Sequence, residues 1–371
     1  MAIIAERESD SRITELHEAG VKLYSFSKLN TIEKCPYCAW RTYVKKDRGI
    51  HNIYDIAGSK IHDVLEAIMK NNASISDLKA ALQSELHDMD MIGVDFPKDF
   101  RGGTSIRDKW IANMEHFCDN FRPPKGEFLT EELMIYKLNE KRAMIGYADL
   151  IRKNKDGSID IFDWKTSSNF HQKDLLHHGR QFVIYKMACE QAGFKVRNTA
   201  WIMLKYVQIV YFGKRRKNAK SEEVITKICD RCKIGQTISP AVESKLEAAG
   251  YSEADIECFI FDLENTNSLS KLPPEIRSQF KIVPYVRPYT VTKELEAECI
   301  DFINRVADSF EAKLAECNEK GTIDVPWEPI EINKSNEFMC FNLCGHRQVC
   351  PGLKRYKELS DLMSASEEEL F

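Results

Sequence analysis

Apolar residues along this chain fall into two spacings. Ile145-Gly146-Tyr147-Ala148-Asp149-Leu150-Ile151 and Ile159-Asp160-Ile161-Phe162-Asp163-Trp164-Lys165 are apolar, β-branched runs. The turn formers Lys153-Asn154-Lys155-Asp156-Gly157-Ser158 lie between them, and this pattern predicts a β-hairpin. Further strands are expected over Glu127–Leu138 and Val196–Phe212. Helical spacing takes over elsewhere. Ile61, Val64, Leu65 and Ile68 form one stripe within 57–69. Residues 172–193 are amphipathic at the same period, 291–319 predict a long helix, and 9–19 a short charged one. The stretch 74–122 reads as helical throughout, with Ser76-Asp77 and Thr104-Ser105 as start signals. Ser27 is the expected N-cap of a helix that ends at Cys35-Pro36. Strands interleaved with helices put the chain in the α/β class.

The hairpin carries charge where a strand should bury apolar groups. Asp163 and Lys165 are two residues apart, so their side chains leave the same face, and Asp149 sits on the partner strand within reach of it. Paired carboxylates hold a hard cation such as Mg²⁺ or Mn²⁺, which polarises a phosphodiester and activates water. A neighbouring lysine orients that water or offsets charge developing on phosphorus. Taken alone, Asp-x-Lys also suits a solvated hairpin. His62 and Glu66 lie four apart on the 57–69 helix and share a face, as do Gln181 and Tyr185 on the 172–193 helix. Glutamine hydrogen-bonds a phosphate or a metal-bound water, and tyrosine stacks on a base or holds the backbone. His177 and His178 read as solvated loop histidines or as groups approaching DNA, and Glu131 and Glu132 take no role. Trp201, Tyr206 and Tyr211 read as core or sheet-face aromatics. Gly213-Lys214-Arg215-Arg216-Lys217-Asn218-Ala219-Lys220 is a basic loop, either a phosphate contact or simply solvated.

Composition narrows the classes. With 371 residues, 43% hydrophobic and 30% charged, the chain can bury a core, as one large domain or two. No apolar run is long enough to span a bilayer. The start, Met1 to Glu8, lacks the basic-then-apolar order of an export signal, and a cytoplasmic or nucleoid location is expected. No Gly-x-x-x-x-Gly-Lys-Ser/Thr loop is present, so any unwinding of nucleic acid would come from a separate partner. The net charge of −4 neither advertises nor excludes a nucleic-acid binder, because charged footprints are local. Twelve cysteines are many for a reducing compartment, and metal ligation explains clustered ones better than disulfides do. Cys340, Cys344 and Cys350 stand within eleven residues, with Cys35 and Cys38 far upstream. Four thiolates suit a [4Fe–4S] cluster, and zinc, with His346 among the choices, is the alternative. Cys229-Asp230-Arg231-Cys232 has no second pair nearby, and Cys258 alone does not complete a zinc site.

In order along the chain stand Gly58-Ser59-Lys60-Ile61-His62, Gly146-Tyr147-Ala148-Asp149, Asp163-Trp164-Lys165 and Gln181-Phe182-Val183-Ile184-Tyr185. They resemble the Gly-x-x-x-His, Gly-x-x-Asp, Asp/Glu-x-Lys and Gln-x-x-x-Tyr motifs of the PD-(D/E)XK nucleases, RecB-like branch. The resemblance runs from about Tyr24 to Gly352, apart from an unmatched block after Gly213. It implies a nuclease domain over 24–352 with a restriction-endonuclease-like core, a central mixed sheet flanked by helices. Helical inserts would fall at about 74–122 and 213–279, with an N-terminal extension, 1–23, and a charged tail, 353–371. It implies Asp149, Asp163 and Lys165 as catalytic groups, and His62, Asp149 and Asp163 as ligands of Mg²⁺ or Mn²⁺. Gln181 and Tyr185 would lie against the substrate.

The cysteines resemble the iron staple of AddB-type helicase-nucleases and of CRISPR-associated and Okazaki-processing nucleases. There, one cysteine before the core and three after it clamp the domain's ends around a [4Fe–4S] cluster, which implies Cys35, Cys340, Cys344 and Cys350 here. The spacing departs from that pattern: C-x3-C-x5-C stands where those families have C-x2-C-x5-C, so Cys38, His346 and zinc stay open. The expected activity is metal-dependent hydrolysis of DNA, single-stranded or with free ends. An exonuclease of recombination, repair or phage DNA processing fits, working with a separate helicase or a recombination or replication protein and with no membrane. One alternative is a catalytically silent DNA-binding or scaffold subunit that keeps fold and staple. Another is a redox or zinc-binding regulator, which would leave the His-Asp-Asp-Lys series unexplained.

Overall fold

A computed structural model of the chain describes residues 10–97, 105–213, 223–323 and 326–368, with side chains to 360. Its first part holds helix α1 (Ser11–Glu18), strand β1 (Lys22–Tyr24), α2 (Phe26–Lys34), α3 (Ile53–Met69), α4 (Ile75–Met91) and α5 (Ile106–Asn120). Then come β2 (Glu127–Leu129), β3 (Glu132–Asn139), β4 (Arg142–Ala148), β5 (Leu150–Lys153), β6 (Ile159–Lys165), α6 (Leu175–Gln191) and β7 (Val196–Phe212). The last part holds β8 (Val224–Asp230), α7 (Ile234–Ala248), α8 (Glu253–Thr266), β9 (Phe280–Pro288), α9 (Lys293–Lys320) and α10 (Pro351–Glu368).

The strands form two mixed sheets flanked by helices, as the α/β reading expects. One has the order β1-β4-β3, the other β2-β5-β6-β7-β8 with β9 also on β7. The chain steps from the first sheet to the second at Asp149, the residue between β4 and β5. The expected hairpin is cut short: β5 pairs antiparallel with β6, Leu150 opposite Phe162, whereas Ile145–Ala148 belong to β4 in the other sheet and Asp149 lies between the strands rather than on one. β6 and β7 run parallel, Lys165 opposite Met203, and the helix that such a crossover needs is α6. The long β7 carries β9 along one edge and β6 followed by β8 along the other.

Packing explains the order of layers. Phe182 of α6, Trp201 of β7 and Phe302 of α9 are almost fully buried in one apolar cluster between the sheets and those helices. A second cluster joins α3, α4 and α5 through Ile61, Leu65, Leu78, Leu82 and Met114. A third, on the far half of β7, is closed by α7 and α8 through Ile234, Ile238, Val242 and Leu263.

Several local expectations change. The strand expected over Glu127–Leu138 is two strands broken at Thr130-Glu131, where Glu131 takes a φ of +53°. Ser25, extended at φ −108° and ψ 160°, caps α2 by accepting from Lys28 N; Ser27 is already inside the helix. Ser74 rather than Ser76 caps α4, in a reciprocal box with Asp77. Within 74–122 the described residues hold α4 and α5, and Ser105, one of the expected start signals, caps α5 by accepting from Asp108 N. The basic run Lys214 to Lys220 lies outside the described residues. Among the described residues no helix is long and apolar enough to cross a membrane.

Candidate active site

The Asp-x-Lys triplet sits at the end of β6, where a parallel strand delivers its carboxyl end to the surface. Asp163 is 2% exposed, and its Oδ2 holds the Lys165 ammonium at 2.5 Å. Asp149, at the step between sheets, accepts from the backbone N–H of Trp164 at 2.8 Å, so β6 itself fixes this carboxylate. The same Oδ2 lies 3.4 Å from Nδ1 of His62, which α3 presents from the other side. Thus His62, Asp149, Asp163 and Lys165 come together although they are spread over about a hundred residues of chain.

Two glycines make this approach possible. A Cβ on Gly58 would stand 3.2 Å from Oγ1 of Thr166, so the bare helix face lets α3 close on the end of β6. A Cβ on Gly146 would stand 2.8 Å from the Tyr185 ring, which packs across β4 there. Tyr185 is 5% exposed; its hydroxyl donates to the Tyr147 carbonyl at 2.6 Å and accepts from Gln181 Nε2 at 3.0 Å. The backbone that this tyrosine holds is therefore the protein's own, two residues before Asp149.

A cavity of about 540 Å³ opens over these groups, lined by His62, Asp149, Lys165, Gln181 and Tyr185 and by one residue without a role in the sequence reading, Glu131. The left-handed break between β2 and β3 turns Glu131 into the cavity, and backbone conformations of this kind gather at functional sites. The signal in the sequence is an acidic residue interrupting an apolar strand. Glu66 instead bonds Lys70 at 2.6 Å, along the helix surface. His177 and His178 are neither loop nor solvated: they lie in the first turns of α6. There His178 stacks on Phe170 with ring centres 4.0 Å apart and is pushed down to about 4, first by burial.

The charge balance of the cavity is legible. Burial weighs against the Lys165 ammonium, but the Asp163 and Asp149 carboxylates outweigh it and raise its pKa above the ordinary lysine value. Burial holds His62 below the ordinary histidine value, against the pull of Asp163 and Glu131. A neutral imidazole beside carboxylates is a donor set for a divalent cation. As the chain lies, no three His, Cys, Asp or Glu side chains among the described residues converge tightly enough to hold an ion; Lys165 balances the carboxylates instead.

A second cavity, of about 800 Å³, is lined by five cysteines: Cys35, Cys38, Cys340, Cys344 and Cys350. All are free thiols. Cys38 Sγ is 3.6 Å from Cys344 Sγ, across 306 residues of chain. Hydrogen bonding with Cys38 holds the Cys35 and Cys344 thiols down, at about 6 and about 7, and the shared contact raises Cys38. The walls are two π-helical turns, Trp40–Val44 and Met339–Leu343. Ile50 N donates to Gly345 O at 2.8 Å, Tyr37 Oη to Val349 O at 2.9 Å and Asn52 Nδ2 to Leu343 O at 3.2 Å. Gly49, at φ +67°, has no room for a Cβ, which would fall 2.6 Å from Gly345 O. His346 is buried with Nε2 2.9 Å from Thr42 Oγ1. Clustered thiols are soft donors and fit iron–sulfur or zinc rather than a hard cation. Cys229 and Cys232 stand elsewhere, at the end of β8, and burial raises both thiols.

Residues 24–351 match the family model of the PD-(D/E)XK nuclease superfamily. No curated protein matches the chain. The chain also aligns with a solved protein described as "Crystal structure of SSO0001", at 16% identity over 69% of this chain and 82% of that one, with a TM-score of 0.23.

Proposed function

Since the chain belongs to the PD-(D/E)XK nuclease superfamily, whose members generally hydrolyse phosphodiester bonds of nucleic acids, we propose that it is a divalent-metal-dependent deoxyribonuclease of the RecB-like branch. Its nuclease domain spans 24–352, with inserts at about 74–122 and 213–279. The observation that carries this reading is the gathering of His62, Asp149 and Lys165 at one cavity, with Asp163 buried behind Lys165, by elements far apart in sequence.

Asp149 and Asp163, with His62 and Glu131 beside them, would hold Mg²⁺ or Mn²⁺; all but the imidazole are hard oxygen donors. When bound, such an ion polarises the phosphate and lowers the pKa of water. The chain's own groups do the rest. Trp164 N–H orients Asp149. Lys165, kept charged by two carboxylates, faces the phosphate and offsets negative charge as it grows. Gln181, partly exposed in the cavity, reaches a phosphate oxygen, while Tyr185 keeps β4 and therefore Asp149 in place. The expected substrate is DNA that is single-stranded or has free ends, and the expected action exonucleolytic, in recombination, repair or phage DNA processing with a separate helicase or replication partner.

The five-thiol cavity supports a structural staple: a [4Fe–4S] cluster, or zinc, held by Cys35, Cys340, Cys344 and Cys350 with Cys38 as a competing ligand. The test of the enzyme is anaerobically purified protein with end-labelled single- and double-stranded DNA, Mg²⁺ or Mn²⁺, and Asp163→Ala alongside. Metal-dependent degradation that the variant loses is the expected result, and the label position reports polarity. Intact DNA beside a fully metallated staple would replace the enzyme with a DNA-binding subunit.

A further inference from the structure

Beside the carboxylate cavity lies another, of about 800 Å³, that the proposed chemistry does not use. The two share Tyr54, Asp55, Thr166 and Ser167 as lining, so they adjoin. At its centre is Lys205, 9% exposed, on β7. The register between β7 and β9 slips between Met203 and Val207, and Lys205 lies in the slipped stretch, released from the regular ladder. Since Lys165 pairs with Met203, Lys205 stands one strand across and two residues on, with Cα atoms roughly 8 Å apart.

Among the described residues its charge lacks a close partner. The nearest bonding atom is Ser168 Oγ, at 3.5 Å, a marginal distance. Asp230 is the carboxylate that pulls on it, but Asp230 is already engaged by Lys109 at 2.9 Å and by Asn113 Nδ2 at 3.3 Å. Asp55, at the opening, is the other acid of the lining. Burial therefore wins, and Lys205 is pushed down to about 8. A buried ammonium without a bonded anion costs stability, and such a group is retained when something else supplies the negative charge. Ser167 and Ser168 line the same cavity; the Ser167 hydroxyl donates to Ser168 O at 3.3 Å, and the Ser168 hydroxyl, which accepts from Lys205, still has its own proton to donate.

We infer that the Lys205 cavity seats a phosphate of the nucleic-acid strand next to the one under attack. This rests on the nuclease reading above and adds to it a direction: the strand leaves the carboxylate cavity past Thr166 and Ser167 and runs between β7 and α5. Lys109 lies at the exposed side of that path. The phosphate is either an internal diester or the terminal group of a strand end, since the Lys205 ammonium and the Ser168 hydroxyl recognise both.

The test compares wild type, Lys205→Met and Lys205→Arg. Anisotropy reads binding of a labelled single-stranded oligonucleotide, with Ca²⁺ replacing Mg²⁺ to hold cleavage back. Thermal melting reads the fold. Lys205→Met should bind at least about tenfold more weakly, with a salt slope shallower by about 0.7, while melting no lower than wild type because an uncompensated buried charge is gone. Lys205→Arg should recover most of the affinity. A defect that disappears when the oligonucleotide ends in hydroxyls on both sides assigns the cavity to a terminal phosphate, and one that persists assigns it to an internal diester. Unchanged affinity and slope in Lys205→Met, beside a wild type that binds and cuts, would overturn this site alone. A wild type that neither binds nor cuts would overturn the nuclease reading, and this site with it.

Discussion

The carboxylate cavity and the thiol cavity share a wall, the first turns of α3, where Asp55 and Ser59 line both. They are built differently. In the first, each acting side chain is fixed by regular structure: Asp163 and Lys165 by β6, Asp149 by a backbone N–H of β6, and His62 by a helix seated through Gly58. In the second, the thiols ride on helix ends and single turns, and a handful of hydrogen bonds joins segments about three hundred residues apart. Packing alone specifies the first. The second brings its thiols near one another without joining them covalently. On the proposed reading, geometry built on strands serves chemistry, which tolerates little displacement, and a closure between distant segments serves stability, because it restricts the unfolded chain.

The contrast breaks most sharply at the ion pair. Asp163→Asn combined with Lys165→Met removes both buried charges at nearly constant volume, so neither is left unpaired. Cleavage of end-labelled DNA should fall by at least about 10³-fold, with Tm within about 2 °C of wild type. Retained cleavage would move the chemistry out of this cavity, and a collapsed Tm would mean that the pair is structural, like the thiols.

Cys344→Ser should do the reverse. Cys344 is the thiol in contact with Cys38 across the closure. Losing a ligand there should release the iron or zinc, read by elemental analysis, and lower Tm by about 3–7 °C, equivalent to roughly 2–5 kcal/mol. Below its melting range the variant should still cut DNA within a few-fold of wild type, the remaining loss arising where α3 borders both cavities. Full metal loading with an unshifted Tm would remove the staple from the account. Complete loss of cleavage in a folded variant would show that the two cavities are not separable.

How far the chain could be read in advance follows the same division. Strand β6, the strand Val196–Phe212 and the helices α3, α6 and α9 were all legible, because each is long or periodic, whereas the run Ile145–Ile151 read as one strand and is split between two sheets at Asp149. The motif residues were legible as an order, and the glycines among them now have a reason: a helix and a ring that must pass where a Cβ would stand. What stayed hidden depends on contacts that no period encodes. Glu131 reads as an ordinary strand residue until a left-handed backbone turns it into the cavity. Lys205 reads as one lysine in a long strand until the register slip places it in a wall. Cys38 joins Cys344 only through tertiary closure, so spacing left its place open. The histidines of α6 looked solvated because polarity was visible and Phe170 and Phe26 as their neighbours were not.

Tyr185 gives the smallest effect and the finest discrimination. The motif resemblance sets it against the substrate, while its geometry sets it against the protein: a hydroxyl on Tyr147 O and a ring over Gly146. Tyr185→Phe deletes the hydroxyl and keeps the ring, costing about 1 kcal/mol, or about 1–2 °C in Tm. If the tyrosine serves only to hold β4, KM for DNA stays constant while kcat drops a few-fold, since Tyr147 is two residues from the carboxylate that must stay in register. A tyrosine that touches DNA gives the opposite split, a raised KM with little change in Tm. The first outcome is expected, because a hydroxyl already donating to one carbonyl and accepting from Gln181 has little left to offer a phosphate. Strand-built sites work this way: residues that never meet the substrate hold in place the ones that do.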